Sequence, residues 1–157
     1  MVVIDADGAV VGRLGARIAK LLLAGNQVEI INAEKAVMLG SLSAAKEHYL
    51  SRRGQKDKRT PENSPHWPRA PHLLLRRIMR GMLPWSSQRG RDAYHRLRVT
   101  IGVPSQAGAS TSGVRGGSAA VQAGKPVKLK EAASDSKHGY FTLEELCREL
   151  GYHGQNA

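Results

Sequence analysis

The chain has 157 residues, a length typical of one domain, and its net charge of +11 with a pI near 10.3 indicates a polyanionic partner or, less often, an anionic membrane surface. The single cysteine, Cys147, excludes an intramolecular disulfide, and no apolar run approaches the ~20 residues that span a bilayer. The opening residues lack the pattern of a signal peptide, so we expect a cytosolic protein that keeps its N-terminus.

A strand, a helix and a second strand are predicted at the start of the chain. Residues 2–4 form a β-branched run that ends in a turn-forming cluster at residues 5–8. The helix follows, because apolar residues recur there at three- and four-residue spacing: Val11, Leu14, Ile18, Leu21 and Leu22. Gly25 and Asn26 end it, and residues 28–31 form the second strand. This βαβ order predicts a right-handed crossover and a parallel sheet.

Three glycines, Gly8, Gly12 and Gly15, lie where a dinucleotide-binding fingerprint would stand. Their spacing is not that of G-x-G-x-x-G, and no G-K-[ST] ending follows. A nucleotide site is therefore the minor alternative, and close packing of the helix on the sheet is the main interpretation.

The same helix carries Arg13, Arg17 and Lys20 as neighbours along one face. Such a basic ridge is more often a solvated face. In a chain with this net charge, RNA contact is an equally good interpretation, and the residues alone leave both open.

The next elements are a short strand at residues 37–39 and a helix from Ser43, as N-cap, to Arg53. The character of the chain then changes over residues 54–72. Four prolines stand there among cations, which are Lys56, Lys58, Arg59 and Arg69. Since proline opposes both helices and central strands, we predict an extended basic loop.

The excess positive charge is concentrated in the middle of the chain. Residues 51–98 contain thirteen Lys/Arg and three Asp/Glu, against five and five before them and six and five after them. A purely solubilising surface would spread this excess. The concentration favours a binding surface.

A helix with two distinct faces is predicted from about Pro71 to Leu83. Its apolar stripe, ended by Pro84, consists of Leu74, Leu75, Ile78, Met79 and Met82. Arg76, Arg77 and Arg80 lie opposite the stripe, so we expect their guanidinium groups to point outward. Arginine forks match phosphate oxygens in bidentate geometry.

Trp67 and Trp85 flank this helix beside Arg69 and Arg89. Stacking of these rings on bases or sugars is one interpretation. Packing against the core or a neighbouring side chain is the preferred one.

A further helix is predicted from about Ser87 to Leu97, followed by a last strand through Val99, Ile101 and Val103 that ends at Pro104. Residues 105–124 have the Ala, Gly, Ser and Gln composition of a flexible linker. A capping box at residues 142–145 then predicts a short helix over 142–150, with Leu143, Leu146 and Leu150 on one face.

Neither a metal site nor a catalytic nucleophile is predicted. The histidines His48, His66, His72 and His95 lack the tight ligand spacing that a metal site needs. Cys147 stands beside Leu146 on a core-facing stretch, which predicts an inert thiol.

Several stretches resemble the large-subunit ribosomal protein L-thirteen family in its archaeal form. They are VVIDADGAVVGRLGARIAKLLLAG, VEIINAEKAVMLG, HWPRAPHLLLRRIMRGMLPW and RGRDAYHRLRVTIGVP, and they cover residues 2–104 almost continuously. The phrase RGMLP, followed by Gly90 and then LRVTIG, is more specific for this family than the glycine pattern near the start. The terminal YFTLEELCRELG also resembles the archaeal pattern.

The resemblance implies a three-layer α/β/α fold with a small, mostly parallel sheet, to which we add the basic extended loop at 54–72 and a C-terminal extension. We therefore divide the chain into an α/β domain at 1–104, a low-complexity insertion at 105–124 and the extension at 125–157. The resemblance also implies large-subunit ribosomal RNA and neighbouring ribosomal proteins as partners. We expect no cofactor, metal, membrane or small-molecule substrate.

The sequence thus predicts a structural RNA-binding protein of the large ribosomal subunit, located in the cytoplasm, and not an enzyme. An α/β enzyme would need a phosphate loop or a catalytic cluster, and none is found. A regulatory RNA-binding protein acting off the ribosome is the remaining alternative. The residues that we expect to contact RNA are Arg13, Arg17, Lys20, Arg52, Arg53, Lys56, Lys58, Arg59, Arg69, Arg76, Arg77, Arg80, Arg89 and Arg91.

Overall fold

A computed structural model describes residues 1–103, 127–128 and 139–154. The strands in this part of the chain are β1 (Val2–Asp5), β2 (Val28–Ile31), β3 (Val37–Leu39), β4 (Leu97–Val99), β5 (Val127–Lys128) and β6 (Tyr140–Thr142). The α-helices are α1 (Val11–Leu23), α2 (Leu42–Gly54), α3 (Pro71–Gly81), α4 (Gln88–His95) and α5 (Leu143–Glu149). Two short 3-10 turns lie at Ala33–Lys35 and Pro61–Asn63. The predicted insertion at 105–124 falls outside the described residues.

Four strands form a parallel sheet in the order β4-β2-β1-β5. Val2 pairs with Val28, which confirms the predicted βαβ unit, and Val28 in turn pairs with Leu97. Consecutive residues of the central strands, Val3 and Ile4 in β1 and Ile30 and Ile31 in β2, are buried on opposite faces, as parallel strands covered by helices are expected to be. The predicted α/β fold with a small, mostly parallel sheet is confirmed.

A separate antiparallel ribbon joins the end of the chain to the domain. Strand β3 pairs with β6, with Val37 opposite Thr142 and Leu39 opposite Tyr140. Thr142 is also the N-cap of α5, and the capping box predicted from the sequence is present: Thr142 Oγ1 accepts from the backbone of Glu145, whose carboxylate accepts from Thr142 N.

The core lies between the helices and the sheet. It is built from fully buried side chains that include Leu14, Ile18 and Leu22 of α1, Leu74 and Leu75 of α3, and Leu143 and Leu146 of α5. Removing one such side chain from water contributes about 1.5–3 kcal/mol. Helices from distant parts of the chain are therefore fixed against each other by this core.

Several helix boundaries differ from those predicted, including those of α5, which spans Leu143–Glu149 and not 142–150. Ser43 is not an N-cap, because α2 already begins at Leu42 and its N-cap is Ser41. The helix α3 ends at Gly81, with Met82 as its C-cap, and not at Leu83. The helix α4 ends at His95, so that Leu97 belongs to a strand.

The predicted last strand is also displaced. It comprises Leu97–Val99, while Ile101 and Val103 lie beyond it and are exposed. The reason is that its partner β2 ends at Ile31, where Asn32 turns the chain with a φ of 54°. The backbone N–H of Asn32 donates to the carbonyl of Gly102 within this turn. This hydrogen bond lies outside the pairing of β2 with β4.

Candidate nucleic-acid interface

The helix α3 has an apolar face that anchors it and a cationic face that does not enter the core. Leu74, Leu75 and Met79 are buried, whereas Arg76, Arg77 and Arg80 are only half-buried. Pro71 opens the helix, where its missing N–H costs no hydrogen bond. The predicted division of α3 into two faces is therefore correct except at the end of the apolar stripe, where Met82 is 37% exposed.

Two of these arginines lie over rings contributed by α4 and the turn before it. The guanidinium carbon of Arg80 is 3.9 Å from the centroid of the Trp85 ring, and that of Arg76 is 4.8 Å from the Tyr94 ring. The two rings meet edge to face, with their centroids 5.3 Å apart. A cation placed in this way is attracted by the negative face of the ring.

A second group forms around Trp67 in the basic loop. The guanidinium carbons of Arg77 and of Arg52, on α2, each lie 5.1 Å from the Trp67 ring centroid. Tyr49, the buried residue of α2, meets the same ring edge-on at 5.9 Å. Trp67 thus connects α2, the loop and α3.

We call Arg52, Arg76, Arg77 and Arg80, with Trp67, Trp85 and Tyr94, the arginine–aromatic face. Its arginines do not simply point into solvent, as the sequence suggested, but lie over rings. The preferred interpretation of the tryptophans as neighbour packing is confirmed. Sequence spacing did not reveal these pairs because most of them join different elements.

The helix α1 approaches α3 closely at Gly15. A Cβ at this position would collide with the sulfur of Met82 and lie 3.1 Å from that of Met79. Gly15 is thus required for close packing, but against α3 and not, as predicted, against the sheet; at Gly8 and Gly12 a Cβ would meet nothing within 4 Å. Arg13, Arg17 and Lys20 are exposed on the outer side of α1.

Some of the predicted RNA-binding arginines hold the fold together. Arg89 Nη2 donates to the carbonyl of Leu23, and Arg53 Nη1 donates to the carbonyl of Leu150, both at 3.1 Å. These carbonyls lie at or just beyond the ends of α1 and α5, where backbone acceptors lack helical partners. The guanidinium group of Arg91 contacts Gln88 on its own helix.

The remaining predicted cations lie in the loop that joins α2 and α3. Lys56, Lys58, Arg59 and Arg69 are all exposed. The loop is ordered around Asp57, whose carboxylate accepts from Arg59 N at 2.9 Å and from the Thr60 hydroxyl at 3.0 Å. These hydrogen bonds, led by that from Arg59, lower the pKa of Asp57. Ser64 Oγ in turn accepts from Asp57 N.

Catalytic and metal-binding chemistry has little support in the described ranges. There, no group of three or more His, Cys, Asp or Glu side chains could hold a metal ion. Cys147 is buried, and burial raises the pKa of its thiol to about 12. At neutral pH it is protonated and a poor nucleophile. Among the described residues, no helix is long and apolar enough to span a membrane.

Comparison with known proteins decides which family has this combination of fold and basic surface. The family profile of ribosomal protein L13 matches residues 1–106. The chain belongs to the ribosomal protein L13 family. The resemblance inferred from its motifs is thereby confirmed, and the ribosomal protein L13 family is not a family of enzymes.

Archaeal members of the family match nearly the whole chain. The large ribosomal subunit protein uL13 of Archaeoglobus fulgidus is 39% identical over 155 residues, which cover 97% of this chain and 88% of that protein. The uL13 protein of Methanopyrus kandleri is 40% identical, covering 96% and 86%. That of Methanococcus maripaludis is 41% identical, covering 96% and 98%.

Proposed function

We propose that this chain is a structural constituent of the large ribosomal subunit, where it binds large-subunit ribosomal RNA in the cytoplasm beside neighbouring ribosomal proteins. The observation that carries the proposal is the arginine–aromatic face. Its helix α3 is fixed to the core by Leu74, Leu75 and Met79, and its cations are held at the surface. Membership of the ribosomal protein L13 family supports the same role.

The distribution of charge favours RNA as the ligand of this face. Residues 51–98 hold thirteen of the 24 Lys and Arg residues and three of the thirteen Asp and Glu residues. A polyanion that releases counterions as its phosphates are neutralised is the natural partner of such a surface. Contacts to the phosphate and sugar position the protein, and the shape of the RNA helix supplies most of the selectivity.

The other exposed cations extend the proposed contact area. They comprise Arg13, Arg17 and Lys20 of α1 and the loop residues Lys56, Lys58, Arg59 and Arg69. A small domain that contacts several RNA segments holds them together, and this supports assembly of the subunit. In this proposal Arg53 and Arg89 have a partly structural role, because each also binds a backbone carbonyl.

Sedimentation of a tagged chain in a cell extract tests the proposal. We expect the protein to migrate with the large subunit through a moderate-salt gradient and to appear at the top only when the large subunit itself is disassembled into RNA and free proteins. A protein that stays at the top in intact extract, while still binding RNA, would be a regulator acting off the ribosome. That result would overturn the proposed role in the subunit.

A further inference from the structure

We propose that Trp67, Trp85 and Tyr94 are positioning residues that hold arginines for the phosphate backbone of folded RNA, and that their rings do not stack on bases. This inference rests on the proposed function and deepens it. It assigns a role to the aromatic residues of the arginine–aromatic face and a chemical class, the sugar-phosphate backbone, to what that face binds.

The geometry supports pre-orientation of the arginines. Arg80 lies 3.9 Å from the Trp85 centroid, Arg76 lies 4.8 Å from that of Tyr94, and Arg77 lies 5.1 Å from that of Trp67. A free arginine side chain loses much rotamer freedom when it binds a phosphate. A side chain already held over a ring loses less, so the same contact yields a higher affinity.

Within the part of the chain that the structure describes, no carboxylate neutralises the charges on this face. Among the described residues, Arg52, Arg76, Arg77 and Arg80 form no ion pair with a carboxylate; the ion pairs found there include Lys46 with Glu149 and Arg148 with Glu144. The Nε of Arg76 is buried and has no acceptor in that part of the chain. The rings therefore replace acidic partners, and they orient each guanidinium group without cancelling its charge.

The same contacts occupy part of each ring, and all three rings are only partly exposed. Trp85 contacts both Arg80 and, in a T-shaped arrangement, Tyr94. Trp67 meets Arg52, Arg77 and Tyr49. Proteins that stack unpaired bases present open aromatic faces. Here the rings already serve the arginines, whose N–H donors remain in the guanidinium plane and match phosphate oxygens.

Conservative substitutions separate stacking from charge. Arg80→Lys keeps the charge but loses the planar group over Trp85, and we expect affinity for deproteinised large-subunit ribosomal RNA to fall about three- to tenfold. The matched control is Arg148→Lys, because Arg148 is paired with Glu144 and, among the described residues, lies over no ring. It should change affinity less than about twofold. Both variants should melt within a few degrees of wild type.

Substitution of the ring provides the reciprocal test. Trp85→Leu should weaken RNA binding as much as Arg80→Lys does, and Trp85→Phe, which restores a ring face, should recover most of the affinity. A purely structural role would instead lower the melting temperature of Trp85→Leu without this recovery. If wild type binds the RNA and Arg80→Lys binds equally well, the positioning role is wrong. If wild type itself does not bind, the proposed function fails first.

Tryptophan emission tests the second half of the inference, since Trp67 and Trp85 are the two tryptophans of the chain. Saturation with the same RNA should leave most of the emission intact, in wild type and in Trp67→Phe and Trp85→Phe. Loss of most of the emission at saturation would show that bases stack on the rings, which would overturn the assignment to the backbone.

Discussion

Arg96 Nη2 donates a hydrogen bond of 3.1 Å to the carbonyl of Leu22, which lies 74 residues earlier in the chain. Arg89 makes the equivalent contact with the carbonyl of Leu23. Two guanidinium groups from the α4 region thus bind the last carbonyls of α1, where the helix dipole also favours positive charge. Arg96 was not among the residues predicted to have a special role.

Arg96→Gln is therefore expected to destabilise the fold. It removes a hydrogen bond from a charged donor to a part-buried acceptor, which should cost about 1.5–3 kcal/mol of unfolding free energy. Chemical denaturation measures this loss. The exposed Arg98→Gln is the matched control and should change stability by less than about 0.5 kcal/mol. Equal stability of the two variants would contradict the capping role of Arg96.

Replacing Arg76, Arg77 and Arg80 together by Gln should weaken RNA binding. It should also reduce the slope of log affinity against log salt concentration by up to ~3, because fewer counterions are released. Because the three arginines lie over rings, we also expect a loss of about 1–2 kcal/mol in stability. Binding titrations at several salt concentrations measure the slope.

The control for this variant loses the same charge elsewhere. Lys35, Lys46 and Arg148 lie outside residues 51–98, and their combined change to Gln should leave the slope nearly as in wild type. Two of them form exposed ion pairs that contribute little to stability. If both triple variants flatten the slope equally, net charge alone drives binding and α3 is not the RNA-facing helix.

Two leucines of α3 that are two positions apart test which face is anchored. Leu75 is fully buried, whereas Leu73 is 44% exposed. Leu75→Ala should cost about 2–5 kcal/mol, since it leaves a cavity in the core. Leu73→Ala should cost much less, within about 0.5 kcal/mol of neutral. Thermal melting measures both variants. A lower melting temperature for Leu73→Ala than for Leu75→Ala would refute the assignment of faces.

At Gly90 the surrounding backbone leaves no room for a side chain. A Cβ there would collide with the backbone carbonyl of Pro84, which cannot swing away as a side chain can. Gly90→Ala should therefore destabilise the protein by about 1–3 kcal/mol. At Gly81, also helical, a Cβ meets open space, so that Gly81→Ala should stabilise by up to about 1 kcal/mol. Destabilisation of equal size in both variants would exclude the steric explanation.

His72 makes stability depend on pH. Its Nδ1 is buried without a partner in the described residues, and burial lowers its pKa below the ordinary value near 6.5. As the pH falls, His72 is therefore protonated in the unfolded chain before it is protonated in the folded chain. The stability that neutral His72 contributes is complete above about pH 6.5 and is lost below it. Unfolding free energy should decline from pH 7 to pH 5.

The decline should be smaller in His72→Gln than in wild type. The exposed His66→Gln provides the control and should keep the wild-type slope. A slope that is unchanged in His72→Gln would assign the pH dependence to other groups.

Local patterns in the sequence were sufficient for much of the fold. The spacing of Leu14, Ile18 and Leu22 defines the buried face of α1, and the βαβ order determines that β1 and β2 are parallel. The capping box at Thr142 and Glu145 likewise lies within one helical turn. Such features are readable because the residues that interact are neighbours along the chain. The concentration of cations in residues 51–98 is also a property of the sequence alone.

Contacts between distant residues were decided only by the tertiary structure. The extent of β4 depends on where its partner β2 ends, and the alternation of Val99, Ile101 and Val103 contains no information about that partner. Similarly, the sequence around an arginine does not show whether its side chain lies over a ring or extends into solvent. Whether Arg80 meets Trp85, or Arg96 meets Leu22, is determined by how the helices pack on the sheet, because packing brings together groups that no local pattern relates.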